Sequence, residues 1–322
     1  MRDDAVARLI QTRGGRTNLH VWRGGRSYER QKGHIYRQEW NNLLFSIRPQ
    51  PPGESHLLYF DVRKPLPYPA ETFDAIDAFH IIEHLTPEEA GSFLGEAFRV
   101  LKPSGILRLS TPDLENVCRA YLDCVAEYDR SPSAANRVRY EWSVLELLDQ
   151  IARVRSGGMM QRYVEKERFD PAYAKERFGD VFEDFGGRPR PDETNGKVAA
   201  ERTTRLTPAA ILRGVRRRFR RTGRFPWRDR APISMPDFRN SGETNKWLYD
   251  HLSATTLLAA TGFEHVRRQT YKTSDIPDWE KFDLDRSTCG DYPIEPSLYV
   301  EARKPKSSQE DTTSQVGTSL LP

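Results

Sequence analysis

Cysteine is scarce: Cys118, Cys124 and Cys289 are odd in number and none sits in a CxxC pair. That excludes a disulfide framework and a zinc knuckle and leaves reduced thiols as the default. Long apolar runs are missing too, since none approaches the ~20 residues a bilayer crossing needs. The opening residues, MRDDAVARLIQTR, carry charges where a secretory signal would place an apolar stretch. The expectation is a cytoplasmic protein. No internal repeat is visible, and 322 residues suffice for one large domain or two modest ones. Mean hydropathy of −0.73, with 30% charged and 37% hydrophobic residues, suits a globular chain with some disordered length.

Charge is unevenly spread. Residues 211–230 (ILRGVRRRFRRTGRFPWRDR) hold nine arginines against one aspartate; they carry +8, so the rest of the chain carries −4 of the net +4. This is a basic patch on a mildly acidic protein, and nucleic acid is not the expected partner because no RNA-binding motif accompanies it. Ile211, Val215 and Phe219 share a face of a helix opened by Thr207-Pro208. With Phe225 and Trp227 they could enter the interface of an anionic membrane while arginines meet phosphates. A polyphosphate or lipid-linked glycan would suit the same residues. The plainer reading is a solvated helix paired to acids such as Glu183 and Asp184.

Regular elements alternate elsewhere. LLYFD (57–61) is a short apolar strand ending in an acid, and KPLPYP cannot continue it. FDAIDAF (73–79) is a second strand. Thr86-Pro87-Glu88-Glu89 then supplies an N-cap, a first-turn proline and acids at the positive helix end, for a helix running to about Lys102. Pro103-Ser104-Gly105 stops it, ILRLSTP is the next strand, and Asp113 caps a helix through about Tyr128. Strand and helix alternating at short spacing predict a parallel α/β sheet with crossovers. Residues 130–240 break that rhythm. Trp142, Leu145, Leu148 and Ile151 mark one amphipathic helix, and Gly157–Thr207 is polar and weakly patterned. The segment reads as a helical, arginine-rich insertion in a domain spanning 1–305. Beyond Trp247 come a helix over 253–260 stopped by Gly262, strand FEHVRRQTY and strand SLYVEAR, and the tail 306–322 is expected to be disordered.

Residues 61–115, DVRKPLPYPAETFDAIDAFHIIEHLTPEEAGSFLGEAFRVLKPSGILRLSTPDLE, closely resemble the class I S-adenosylmethionine-dependent methyltransferases of the bacterial type, with their HxxEHL turn and RVLKPGG-like turn. LLAATGFEHV and 297-SLYVEARKP resemble that family's closing helix and antiparallel hairpin, so about 130 residues are covered. The resemblance implies a Rossmann-like α/β fold with a doubly wound, seven-stranded, mostly parallel sheet and the cofactor across the carboxyl ends of its first strands. It implies S-adenosyl-L-methionine as cofactor, methyl transfer to a hydroxyl, and a small-molecule or glycan acceptor.

Under that resemblance Asp61 ends a strand where a carboxylate accepts from the adenine amino group, with Val62 beside it. Phe79 and His80 end the next strand and flank cofactor and acceptor; Glu83 and His84 follow on the turn. His80 is the best candidate base, and His80 or Glu83 would face the acceptor; the bland alternative for His80 and His84 is strand-end packing and helix capping. The letters HIIEH also match an inverted zinc-protease signature, but a strand runs directly into His80 and Pro87 opens the next helix, so no metal is expected.

The first-strand turn departs from the family pattern. Its glycine-rich loop is 20-HVWRG-24 here, with Trp22 and Arg23 for the small residues and Gly24-Gly25 remaining. Around 34-HIYRQEWNN-42 the expected ribose-binding acid is Arg37 or Gln38, with Glu39 just beyond. Three explanations stay open. Gly24, Gly25 and Glu39 do the usual jobs slightly late; the fold is kept for binding alone; or Arg23 and Arg26 hold an anionic ligand. The expected function is therefore methyl transfer, with a non-catalytic binding protein docking through 211–230 as the alternative.

Overall fold

The structure is a computed structural model and describes residues 15–22, 41–45, 57–155, 157–165, 169–179, 182, 238–239, 244–287, 293 and 296–306. Residues 211–230 and nearly all of the tail lie outside these, as do Arg23, Gly24, Gly25, Arg26, Glu39, Glu183 and Asp184.

Among the described residues seven strands form one mixed sheet: β1 (Asn18–Trp22), β2 (Asn41–Phe45), β3 (Leu57–Phe60), β4 (Phe73–Phe79), β5 (Leu101–Thr111), β6 (Glu264–Gln269) and β7 (Leu298–Arg303). Their order is β3-β2-β1-β4-β5-β7-β6. The first five run parallel, and β7 enters antiparallel between β5 and β6. The chain therefore reverses its direction of growth between β1 and β4, the switch point where such sheets open a crevice at their carboxyl ends.

Strand alternation divides the sheet into two faces. Leu19, Val21, Ile76, Ala78, Leu107, Leu109, Leu298, Val300 and Ala302 join one apolar cluster. It closes against α1 (Pro87–Val100), through Ala90, Phe93, Leu94 and Ala97, and against α6 (His251–Ala260), through Ala254 and Leu258. Helix α1 starts where the sequence says it should, on a reciprocal cap: Thr86 Oγ1 accepts from Glu89 N–H and Glu89 Oε2 accepts from Thr86 N–H. A reciprocal cap between Asp250 and Ser253 starts α6, and Gly262, at φ +98°, follows its last turn.

Two local expectations need correcting. Pro103-Ser104-Gly105 does not separate a helix from a strand, because β5 already begins at Leu101. Those residues form a bulge between the Phe73↔Leu101 and Ala75↔Ile106 pairs. Only glycine fits at 105, where a Cβ would stand 2.8 Å from the Lys102 carbonyl oxygen. The second concerns the acid expected around Arg37–Glu39 at the end of the second strand: those residues lie outside the described ones, and β2 runs Asn41–Phe45, ending at Phe45.

The described residues between 131 and 182 are more ordered than their composition suggests. Helix α2 (Leu114–Arg130), capped by Asp113, packs beside α3 (Ala134–Ala152), and α4 (Gly158–Glu165) and α5 (Pro171–Phe178) follow. Trp142, Met160, Val164, Ala174, Phe178 and Phe182 enclose a second small core. Leu148, expected on the buried face of α3, is exposed. Among the described residues no helix is long and apolar enough to cross a membrane.

Candidate active site

Strand β4 ends at Phe79, and His80 follows with φ +51°, a left-handed conformation that a bulky residue adopts only when its surroundings enforce it. The enforcing contact is His80 N–H donating to the Ser110 carbonyl on β5, 2.9 Å. A single 3-10 turn, Ile82–His84, then folds Glu83 back beneath the imidazole. His80 Nδ1 stands 2.9 Å from Glu83 Oε1, and Nε2 stands 2.8 Å from Ser297 Oγ at the start of β7. An ionised carboxylate only accepts, so Nδ1 donates to it, and in the neutral ring Nε2 offers its lone pair to the serine hydroxyl. Both histidines flank this short turn, not a helical face.

Glu83 is 1% exposed. Burial works to raise its pKa, but His80 beside it, the hydrogen bond from that ring and the neighbouring His84 outweigh burial and hold the carboxyl below the usual glutamate range. Thr111 Oγ1 donates to the second oxygen at 3.2 Å. The Glu83 carbonyl accepts from the N–H groups of Lys246 and Trp247, at 2.6 and 3.2 Å, so a segment distant in sequence clamps the turn. His84 meets that same segment, its Nδ1 3.4 Å from the Thr244 carbonyl.

Asp61 follows β3 at the same edge of the sheet. Arg63 grips its carboxylate through Nε and Nη2, each at 2.8 Å. Burial opposes the charge there, and the Arg63 hydrogen bond prevails, keeping the carboxyl below its ordinary range. Arg63 leans towards Glu89 at 3.8 Å, and Glu89 binds Lys246 Nζ at 2.8 Å. A chain of charges thus joins Asp61 to the segment clamping Glu83.

The remaining expected site residues divide. Phe79 is buried with its ring 4.7 Å from that of His80. Val62, expected against a cofactor, is instead 1% exposed and part of the apolar core, because the chain turns inward after Asp61. Trp22 closes β1 in register with Phe79, and its indole meets His20 edge-on at 5.7 Å. It lies on the polar sheet face. The space above Gly24 lies outside the described residues, as do Gly25 and Glu39.

That polar face holds a second constellation. His20 Nδ1 meets Asp77 Oδ2 at 2.7 Å with both side chains fully buried. Arg108, also fully buried, reaches Asp285 at 2.6 Å and Glu301 at 2.7 Å, donates to the Thr270 and Thr273 carbonyls, and lies under the Trp279 ring at 4.5 Å. Burial works against the guanidinium, and Asp285 and Glu301 overcome it, so its pKa is raised. Burial pushes Asp285 up to about 7, since one cation shared with Glu301 cannot offset two buried carboxylates with Asp77 nearby.

Sequence reasoning missed Ser297, Thr111 and Arg108 as partners. A signal existed for the first: a closing antiparallel strand must begin at the edge where its parallel neighbours end, which brings Ser297 to His80. None existed for Asp285, which lies in the connection between β6 and β7.

Residues 46–109 match the family model described as a methyltransferase domain. That span holds Asp61, Phe79, His80 and Glu83. No curated protein matches the sequence. Similar solved structures include a possible exported protein from Bordetella parapertussis, 11% identical over 94% of this chain and 65% of that one, TM-score 0.32. The CurJ carbon methyltransferase is 11% identical over 92% of this chain and 50% of that one, TM-score 0.32. A SAM-dependent methyltransferase from Methanosarcina mazei is 12% identical over 94% and 97%, TM-score 0.35. This chain therefore spans less than two thirds of the first two.

Proposed function

We propose that this protein is an S-adenosylmethionine-dependent methyltransferase that methylates a hydroxyl on a small molecule or glycan. The observation that carries the reading is the placement of Asp61 and of the His80–Glu83 pair at the carboxyl ends of β3 and β4, on either side of β1 and β2 and inside the span matching a methyltransferase domain. The described residues fit the adenosine end of such a cofactor. The Asp61 carboxylate is held in place by Arg63 yet 14% exposed, and Phe79 and His80 stand at the carboxyl end of β4 on the same edge of the sheet. The amino-acid end would fall to Gly24, Gly25 and Glu39.

When bound, S-adenosylmethionine supplies an electrophilic methyl group. This chain's part is to orient the acceptor and remove its proton. An acceptor hydroxyl placed where Ser297 Oγ now stands would give its proton to His80 Nε2. Glu83, held ionised, fixes the ring's tautomer and stabilises the imidazolium that forms. Glu83 is thus a positioning residue and His80 the base. The second reading, a binding protein docking on anionic membrane or phosphate groups through 211–230, has no support among the described residues.

Calorimetric titration with S-adenosylmethionine and S-adenosylhomocysteine tests the reading. Micromolar binding is expected, and Asp61→Ala should weaken it by about 1–2 kcal/mol for a lost hydrogen bond to a charged group. No heat at millimolar ligand would sink it.

A further inference from the structure

We propose that Ser297, His80 and Glu83 form a nucleophile, base and acid array able to cleave small esters through an acylated serine, an activity separate from methyl transfer. The connectivity is the one such chemistry requires: hydroxyl to Nε2 at 2.8 Å, Nδ1 to carboxylate at 2.9 Å. The three residues come from three places, the end of β4, the turn after it and the start of β7.

Each member is fixed from outside the array. Pairing of Thr111 with Leu298 sets Ser297 beside the end of β5. The Ser110 carbonyl pins the His80 backbone in its left-handed conformation. Thr111 occupies the second Glu83 oxygen, and the Lys246 and Trp247 amides hold its carbonyl, so the carboxylate cannot swing away. Ser297 is half-buried, unlike the other two members, so it is the member of the array nearest solvent. A proton-abstracting histidine needs no serine on Nε2, so the methyltransferase reading does not account for Ser297.

The step balances with water as the second reactant. Ser297 Oγ attacks the ester carbonyl as its proton passes to His80 Nε2, and the departing alkoxide takes that proton. Water then attacks the acyl carbonyl, gives a proton to Nε2, and releases the carboxylic acid as Ser297 Oγ regains its hydrogen. Glu83 accepts from Nδ1 throughout.

The test uses the full chain and p-nitrophenyl acetate without S-adenosylmethionine. We expect a burst of p-nitrophenolate and labelling of Ser297 by a fluorophosphonate probe, located by peptide mass spectrometry. Ser297→Ala and His80→Ala should each lower hydrolysis at least ~100-fold, while Ser92→Ala, on the exposed face of α1, leaves it unchanged. Ser297→Ala removes one half-buried hydroxyl, so it keeps the test decisive if changes at buried Glu83 unfold the chain; melting curves verify this. Hydrolysis no faster than free imidazole, undiminished activity in Ser297→Ala, or a label at another residue would overturn the proposal. None of these readouts involves cofactor binding, so the two readings fail separately.

Discussion

The two faces of the central sheet are built on opposite principles. On one, Leu19, Val21, Ile76, Leu107 and Val300 share an apolar cluster with Phe93 and Leu94 of α1, and any well-shaped apolar set would serve. On the other, His20, Asp77, Arg108 and Glu301 are buried as deeply, yet each charge depends on particular partners, among them Asp285 from the connection between β6 and β7. The apolar face tolerates volume-conserving change. The polar face is all or nothing, because removing one member strands the others in a low-dielectric interior.

The strongest way to break that comparison is Arg108→Met. It leaves Asp285 and Glu301 without their cation and should cost about 3–5 kcal/mol by urea denaturation. Leu94→Ala on the apolar face should cost about 2–5 kcal/mol. Their order matters less than their response to repair: adding Asp285→Asn and Glu301→Gln to Arg108→Met should recover stability, since the stranded charges are then gone. A loss under ~1 kcal/mol for Arg108→Met, or no recovery, would contradict the contrast.

Acidity sharpens it next. Asp285 is pushed up to about 7 by burial, so its contribution is fully present below the ordinary aspartate value and is lost as pH rises through about 7. Glu83 has the opposite sign: its lowered pKa stabilises above the ordinary glutamate value, and the gain is lost as pH falls through the folded one. Unfolding free energy should therefore decline between about pH 4 and about pH 7, and Asp285→Asn should flatten that decline. An unchanged slope would show that Asp285 does not titrate there.

The smallest effect lies at the helix start. Thr86→Ala removes one half of the reciprocal cap on α1 and should cost about 1 kcal/mol. Thermal unfolding should show the loss with the polar-face pH response unaltered.

Much of this was legible in the chain. Alternation in FDAIDAF, the cap at Thr86 and the stop at Gly262 depend on neighbours within one turn or strand, so the sequence displays them directly. The 3-10 turn carrying Glu83 to His80 spans three residues, and the letters HIIEH placed both. The bulge at Pro103-Ser104-Gly105 was misread because proline and glycine mark a break in either a helix end or a strand.

By itself, then, the sequence determined the strand and helix alternation, the caps and the edge of the sheet where Asp61 and His80 stand. Those features rest on short-range periodicity and backbone preference. Only the tertiary structure decided that Val62 turns into the core, that Ser297 meets Nε2, and that Arg108 is shared by Asp285 and Glu301. Their partners lie between 177 and 217 residues apart for these side-chain contacts, and such meetings are set by how the sheet closes, which no local pattern records.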